Sequence, residues 1–92
     1  LRPSTARVIQ NQVEREVHVE DLNLNDLVII RPGERIPVDG IIENGATHVN
    51  ESLITGESLP ISKKEADSVV GGSINGEGTI YVKVNAIGSE TM

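Results

Sequence analysis

Leu27-Val28-Ile29-Ile30-Arg31-Pro32-Gly33-Glu34-Arg35-Ile36-Pro37-Val38-Asp39-Gly40-Ile41-Ile42-Glu43-Asn44-Gly45 alternates short apolar runs with turn signals, and no helical periodicity runs through it. The unbroken run at 27–30 reads as a strand covered on both faces. Pro32-Gly33 makes a turn, and Asp39-Gly40 and Asn44-Gly45 punctuate the rest of the stretch into tight bends. Valine and isoleucine supply most of the apolar side chains, and β-branched residues suit a pleated surface. The stretch predicts sheet.

The same pattern extends in both directions. Residues 5–9 read as a strand, 10–12 as a turn and 13–19 as the returning strand. There Val13, Val17 and Val19 share one face and Glu14, Glu16 and His18 the other, the alternation of a half-buried strand. Towards the C-terminus, Asn75-Gly76-Glu77-Gly78 reads as a hairpin turn feeding a strand at 79–86. Its Ile80, Val82 and Val84 oppose Tyr81, Lys83 and Asn85. Many short strands at turn-punctuated spacing predict a mainly β fold, a distorted jelly roll or β-sandwich. Helix is confined to a turn near residues 50–52 and to the chain ends.

The chain has 92 residues, so one domain spanning 1–92 is expected. Its core must be aliphatic, because Tyr81 is the only aromatic residue. A net charge of −6 disfavours nucleic acid, which selects a basic face, and anionic membrane surfaces alike. There is no cysteine, hence no disulfide framework and no thiolate metal site. No apolar run approaches the ~20 residues of a membrane span. The chain opens on Leu1 and closes on Met92 with no closing motif, and is expected to be a monomeric piece of something larger.

One tetrapeptide carries chemistry. Thr55-Gly56-Glu57-Ser58 sits between an apolar, strand-like run and Leu59-Pro60. Gly56 lets the backbone come close to another surface, since no Cβ stands in the way. Glu57 offers a charge or a proton acceptor, and Pro60 stiffens the exit by locking its own φ. By itself such a tetrapeptide is most often a plain turn.

Three ordered motifs change that reading: RPGERIPVDG at 31–40, VNESLITGESLPI at 49–61 and GGSIN at 71–75. Together they resemble the actuator domain of a P-type ATPase, a pump that forms and breaks an aspartyl phosphate while moving ions across a membrane. The resemblance covers nearly the whole chain, including the closing Gly88-Ser89-Glu90-Thr91-Met92. Ile36-Pro37-Val38-Asp39-Gly40 is most like the heavy-metal branch, with copper favoured and a zinc, cadmium or other cation pump of the same family as the alternative. Three residues depart from the family pattern: Asn50 where aspartate is usual, and Asn25 and Ala66 where glycine is usual.

The resemblance implies that Glu57 is carried into the phosphorylation site, where it orients and deprotonates the water that attacks the acyl phosphate. Partial desolvation beside a phosphate raises a carboxylate's proton affinity, which makes it a better base. Gly56 would allow close approach, and Pro60 would stiffen the loop. The hydroxyls of Thr55 and Ser58 would hold the loop or bond across the docked surface, two roles the sequence does not separate. The implied partners are the phosphorylation and nucleotide-binding domains and the membrane helices of the same pump. The domain itself would lie on the cytoplasmic side and bind no cofactor or metal, while the whole pump uses ATP and magnesium. Alone the domain is expected to be inactive and not to bind ATP.

Other constellations weigh less. His18 and His48 stand far apart and read as exposed strand residues. Gly76-Glu77-Gly78 lacks the third glycine and following helix of a dinucleotide fingerprint. Asn50-Glu51-Ser52 matches a glycosylation pattern without a secretory signal. Glu14, Glu16, Glu20 and Asp21 read as a solvated face, and Glu34 and Asp39 as structural turn residues. The competing functional reading is a β-sandwich adaptor that binds a partner through the 55–60 loop and does no chemistry. Hydrophobic spans on both sides of the segment in its gene, and a phosphorylatable aspartate downstream, would separate the two.

Overall fold

Ile80, Val82 and Val84 point to one face of a central strand, and all three are fully buried. Around that strand the computed structural model describes residues 2–57 and 59–85. Expectations for Ser58, Ala86 and the 88–92 tail lie outside the described residues. The strands are β1 (Thr5–Gln10), β2 (Val13–His18), β3 (Leu27–Ile30), β4 (Gly40–Asn44) and β5 (Thr47–Asn50), then β6 (Ile61–Lys63), β7 (Ser68–Val69), β8 (Ile74–Asn75) and β9 (Ile80–Val84). A 3-10 turn occupies Val19–Asp21, and a single helical turn, α1, occupies Ser52–Thr55.

Six strands in the order β2-β1-β3-β9-β4-β7 form one antiparallel sheet, and β6-β5-β8 form a second. Val8, Val28, Ile30, Ile42, Val82 and Val84 from the larger sheet share one core with Val49 from the smaller. Ile36 and Val38, on the segment that links β3 to β4, join it. Fully burying a side chain of this size contributes roughly 1.5–3 kcal/mol, set against the entropy of ordering the chain. Ile29 on the other face of β3 is buried as well, so β3 is covered on both sides, as its unbroken apolar run predicts. The fold is mainly β with little helix, and the aliphatic core holds its two sheets together.

Four local expectations are corrected. β2 alternates, yet Val13 is 56% exposed, because β2 is an edge strand bonded only to β1 and the outer part of its apolar face is uncovered. Gly40 is no bend: it lies inside β4 opposite Val84, where a Cβ would run into the Lys83 carbonyl. The 75–78 segment is no hairpin, since β8 belongs to the smaller sheet and β9 to the larger; it is a crossover between sheets. The run before Thr55 is helical rather than strand-like.

The acidic stretch is also more than a solvated face. Glu14 holds the Arg31 guanidinium through two bonds of 2.8 Å and lies 3.3 Å from Arg7, which in turn reaches Glu34 at 3.1 Å. Glu34 also accepts the Arg31 backbone N–H at 2.8 Å, closing the turn at 31–34. Asp39 is structural as expected, accepting the Gly71 N–H at 2.7 Å and the Arg2 guanidinium at 3.1 Å.

Candidate functional site

β5 and β6 pair as a hairpin in the register Thr47↔Lys63, His48↔Ser62 and Val49↔Ile61. Residues 51–60 are therefore a loop that leaves and re-enters one end of the smaller sheet. Its first bend is made by Asn50, whose Oδ1 accepts the Ser52 N–H at 2.8 Å, an Asx turn. An aspartate would offer the same acceptor, so this departure from the family pattern leaves the bend intact. The helical turn follows, with the Thr55 and Gly56 N–H groups donating to the Glu51 and Ser52 carbonyls at 2.8 and 2.9 Å.

Gly56 ends the turn in the left-handed region, φ 82° and ψ 0°, which glycine enters without steric penalty. No atom lies within 4 Å of the place a Cβ would occupy. Glycine is thus favoured by the backbone angle, and the space beside it is open to an approaching surface. The Thr55 hydroxyl donates to the Glu51 carbonyl at 3.1 Å and accepts the Glu57 N–H at 3.2 Å. Both bonds lie inside the loop, so Thr55 fixes the loop's shape. Glu57 is exposed, and among the described residues its carboxylate has no hydrogen-bond or ion-pair partner. Pro60 is exposed and leads straight into β6.

Large apolar side chains of the same loop are exposed on either side of the tip. Leu53, Ile54 and Leu59 are 62%, 48% and 75% exposed, an apolar collar of the kind that marks an interaction surface where it is contiguous. Sequence reasoning missed this collar, because an apolar run taken as strand implies burial. Reading Leu53 and Ile54 as one helical turn between Asn50 and Gly56 would have exposed them. Beneath the loop, Pro60 joins Val49, Ile74 and Gly76 in lining an apolar groove of about 420 Å³. His48 and Glu77 border it, their Nδ1 and Oε2 atoms 2.7 Å apart. That bond, with help from backbone donors, holds the Glu77 carboxyl below the usual range.

Three buried polar side chains were not anticipated: Thr47, Ser73 and Asn75. Two of them lie in the GGSIN motif, the available signal. His18 and His48 are exposed strand residues, as expected. Among the described residues no three His, Cys, Asp or Glu side chains gather as a metal site, and no helix is long and apolar enough to cross a membrane.

The loop thus presents an exposed glutamate after a left-handed glycine, and the smaller of the two sheets carries it. The family model of the P-type ATPase actuator domain matches residues 1–92, and the chain belongs to that family. It is 47% identical over 91 residues to the copper-exporting P-type ATPase B of Archaeoglobus fulgidus. Identity to a probable copper-transporting P-type ATPase B of Staphylococcus aureus is 51% over 89 residues. These matches cover 99% and 96% of this chain but only 13% of each relative's length. A crystal structure of a zinc-transporting PIB-type ATPase in its E2.Pi state superposes with a TM-score of 0.91 at 27% identity, over 97% of this chain and 15% of that one.

Proposed function

We propose that this actuator domain works within a membrane-embedded, metal-transporting P-type ATPase and that Glu57 drives hydrolysis of the aspartyl phosphate. The observation that carries the reading is the state of Glu57, exposed on a loop whose backbone is already fixed by Thr55 and Gly56. A base that must enter another domain's site needs this combination: an exposed carboxylate and a backbone that loses little entropy on docking. The apolar collar of Leu53, Ile54 and Leu59 suits transient burial against the phosphorylation domain. Once there, Glu57 orients the attacking water and accepts its proton, while Gly56 permits close backbone approach. ATP and magnesium belong to the phosphorylation and nucleotide-binding domains of the whole pump, and the actuator lies with them on the cytoplasmic side. Movement of the domain couples hydrolysis to the membrane helices.

Copper is the proposed cargo, supported by the names of the two relatives above and by the Ile36-Pro37-Val38-Asp39-Gly40 wording. Zinc is the second reading, favoured by the zinc-transporting structural neighbour. The test is phosphorylation of the full-length protein in membranes by labelled ATP. A hydroxylamine-sensitive phosphoenzyme stimulated by cuprous ion is expected; stimulation by zinc instead reassigns the cargo. No acyl phosphate at all leaves only the adaptor.

A further inference from the structure

The motif that sequence reasoning set aside as a hairpin, Asn75-Gly76-Glu77-Gly78, lies along β5, the strand that launches the Glu57 loop. Asn75 is its anchor, 1% exposed and opposite Val49 in the β5–β8 pairing. Its side-chain NH₂ donates to the carbonyls of Arg31 at 3.0 Å and Gly78 at 2.7 Å, with a longer contact of 3.3 Å to Ile30. Its Oδ1 accepts the Thr47 hydroxyl at 2.8 Å, and that hydroxyl oxygen accepts the Gly78 N–H at 3.0 Å. Three carbonyls at one end and a hydroxyl at the other admit only one orientation of the amide. The Asn75 backbone adds two more bonds, donating to Glu34 and accepting from Gly33. One side chain therefore ties the 31–34 turn of the larger sheet to Thr47 of the smaller.

The glycines complete the clamp. Gly76 donates its N–H to the His48 carbonyl at 2.7 Å. A Cβ on Gly76 would collide with that carbonyl, and one on Gly78 with the Ala46 carbonyl. The segment thus rests on residues 46–48, at the start of β5, with no room to slide. Buried, fully bonded amide networks fix one arrangement sharply, because any other leaves polar groups unpaired in a dry interior.

We infer that Asn75 is a positioning residue for Glu57. It sets the angle of β5 and the attached 51–60 loop relative to the larger sheet, so that movement of the domain delivers the carboxylate to one place. This rests on the reading of Glu57 as the base. A base displaced by about an ångström loses on the order of 100-fold in rate, so the defect belongs to phosphate loss and not to phosphate gain.

The test is a phosphoenzyme chase in membranes carrying the full-length pump, with Asn75→Asp, Thr47→Val and Thr47→Ser beside Glu57→Gln. Thr47→Val is the milder probe should Asn75→Asp fail to fold, and Thr47→Ser restores the hydroxyl. Phosphorylation by ATP is expected to reach the parental level in every folded variant. Decay is expected to slow about 10- to 100-fold in Asn75→Asp and Thr47→Val, and to recover in Thr47→Ser. Added to Glu57→Gln, Thr47→Val should slow decay no further, because groups that act as one unit are not additive. Parental decay in Thr47→Val beside slow decay in Glu57→Gln overturns the inference and leaves the base assignment standing. Additive slowing overturns it too, since Thr47 and Asn75 would then act apart from Glu57. Parental decay in Glu57→Gln removes both.

Discussion

The hydroxyl of Thr55 accepts the backbone N–H of Glu57 at 3.2 Å while donating to the carbonyl of Glu51 at 3.1 Å. The residue before the glycine thus holds the residue after it, and the tip keeps its shape without help from a partner. Thr55→Val removes both bonds at nearly constant volume, and Thr55→Ser keeps them. On an exposed loop the valine change should alter unfolding free energy by less than about 1 kcal/mol. In the full-length pump it should slow phosphoenzyme decay, though less than loss of the carboxylate. Decay indistinguishable from parent would leave Thr55 without a part in delivering Glu57.

Ala66 has φ 77°, a left-handed angle that costs an L-residue about 1–2 kcal/mol. It is exposed and packs nothing away from water. Ala66→Gly relieves the strain and gives back part of it as extra freedom in the unfolded chain. A net gain of about 0.5–1 kcal/mol is expected, read as a higher urea midpoint at unchanged slope. A lower midpoint would mean that the turn at 64–67 carries no such strain.

Gly40 makes the opposite prediction. Its φ is unremarkable, but a Cβ would meet the Lys83 carbonyl and the Val82 side chain, in the pairing of two central strands. Gly40→Ala should destabilise by about 1–3 kcal/mol, as overpacking does. Equilibrium denaturation beside the parent measures it. An unchanged midpoint would show that β4 and β9 can separate at no cost.

These two positions show what the sequence conceals. Ala66 and Asn25 were suspect from the family pattern, and both have positive φ. Gly40 looked like a bend because Asp-Gly is a turn dipeptide, whereas the close approach of β9 that requires it is a long-range fact. The alternation of Ile80, Val82 and Val84 made β9 legible, and the apolar run at 27–30 made β3 so. Val13 misled, since alternation reports a face without saying whether anything covers it. At the site, Gly56 and Glu57 were readable from motif chemistry. The helical turn that exposes Leu53 and Ile54 was not, because a short apolar run fits strand or helix equally. Asn75 was invisible for a different reason: its partners, Arg31 and Thr47, are distant in the chain and meet only through the packing of two sheets.

Acid should weaken the fold partly through Glu14. The hydrogen bond from Arg31, reinforced by the charges of Arg31 and Arg7, holds its carboxyl below the ordinary value of 4.5. A carboxyl depressed in the folded state contributes stability above its unfolded pKa, and that contribution is lost as pH falls through the folded one. The loss therefore begins near pH 4.5 and deepens below it. Glu14→Gln should be less stable than the parent near neutrality, with the gap closing as the pH falls progressively below 4.5. Thermal unfolding across that range checks it, and a gap that stays constant would show that the ion pair contributes nothing.

The role of Glu57 is tested most directly by the rate at which the full-length pump loses its phosphate. Glu57→Gln keeps the size of the side chain and should change domain stability by no more than ~0.5 kcal/mol. Membranes carrying parent or variant are labelled with ATP, then chased with unlabelled nucleotide, and the acid-stable phosphoenzyme is followed in time. The variant should be phosphorylated as fully as the parent and lose its label about 10²–10⁴-fold more slowly, the range of general-base catalysis. Equal decay rates would contradict the assignment and return the loop to the role of a docking tip.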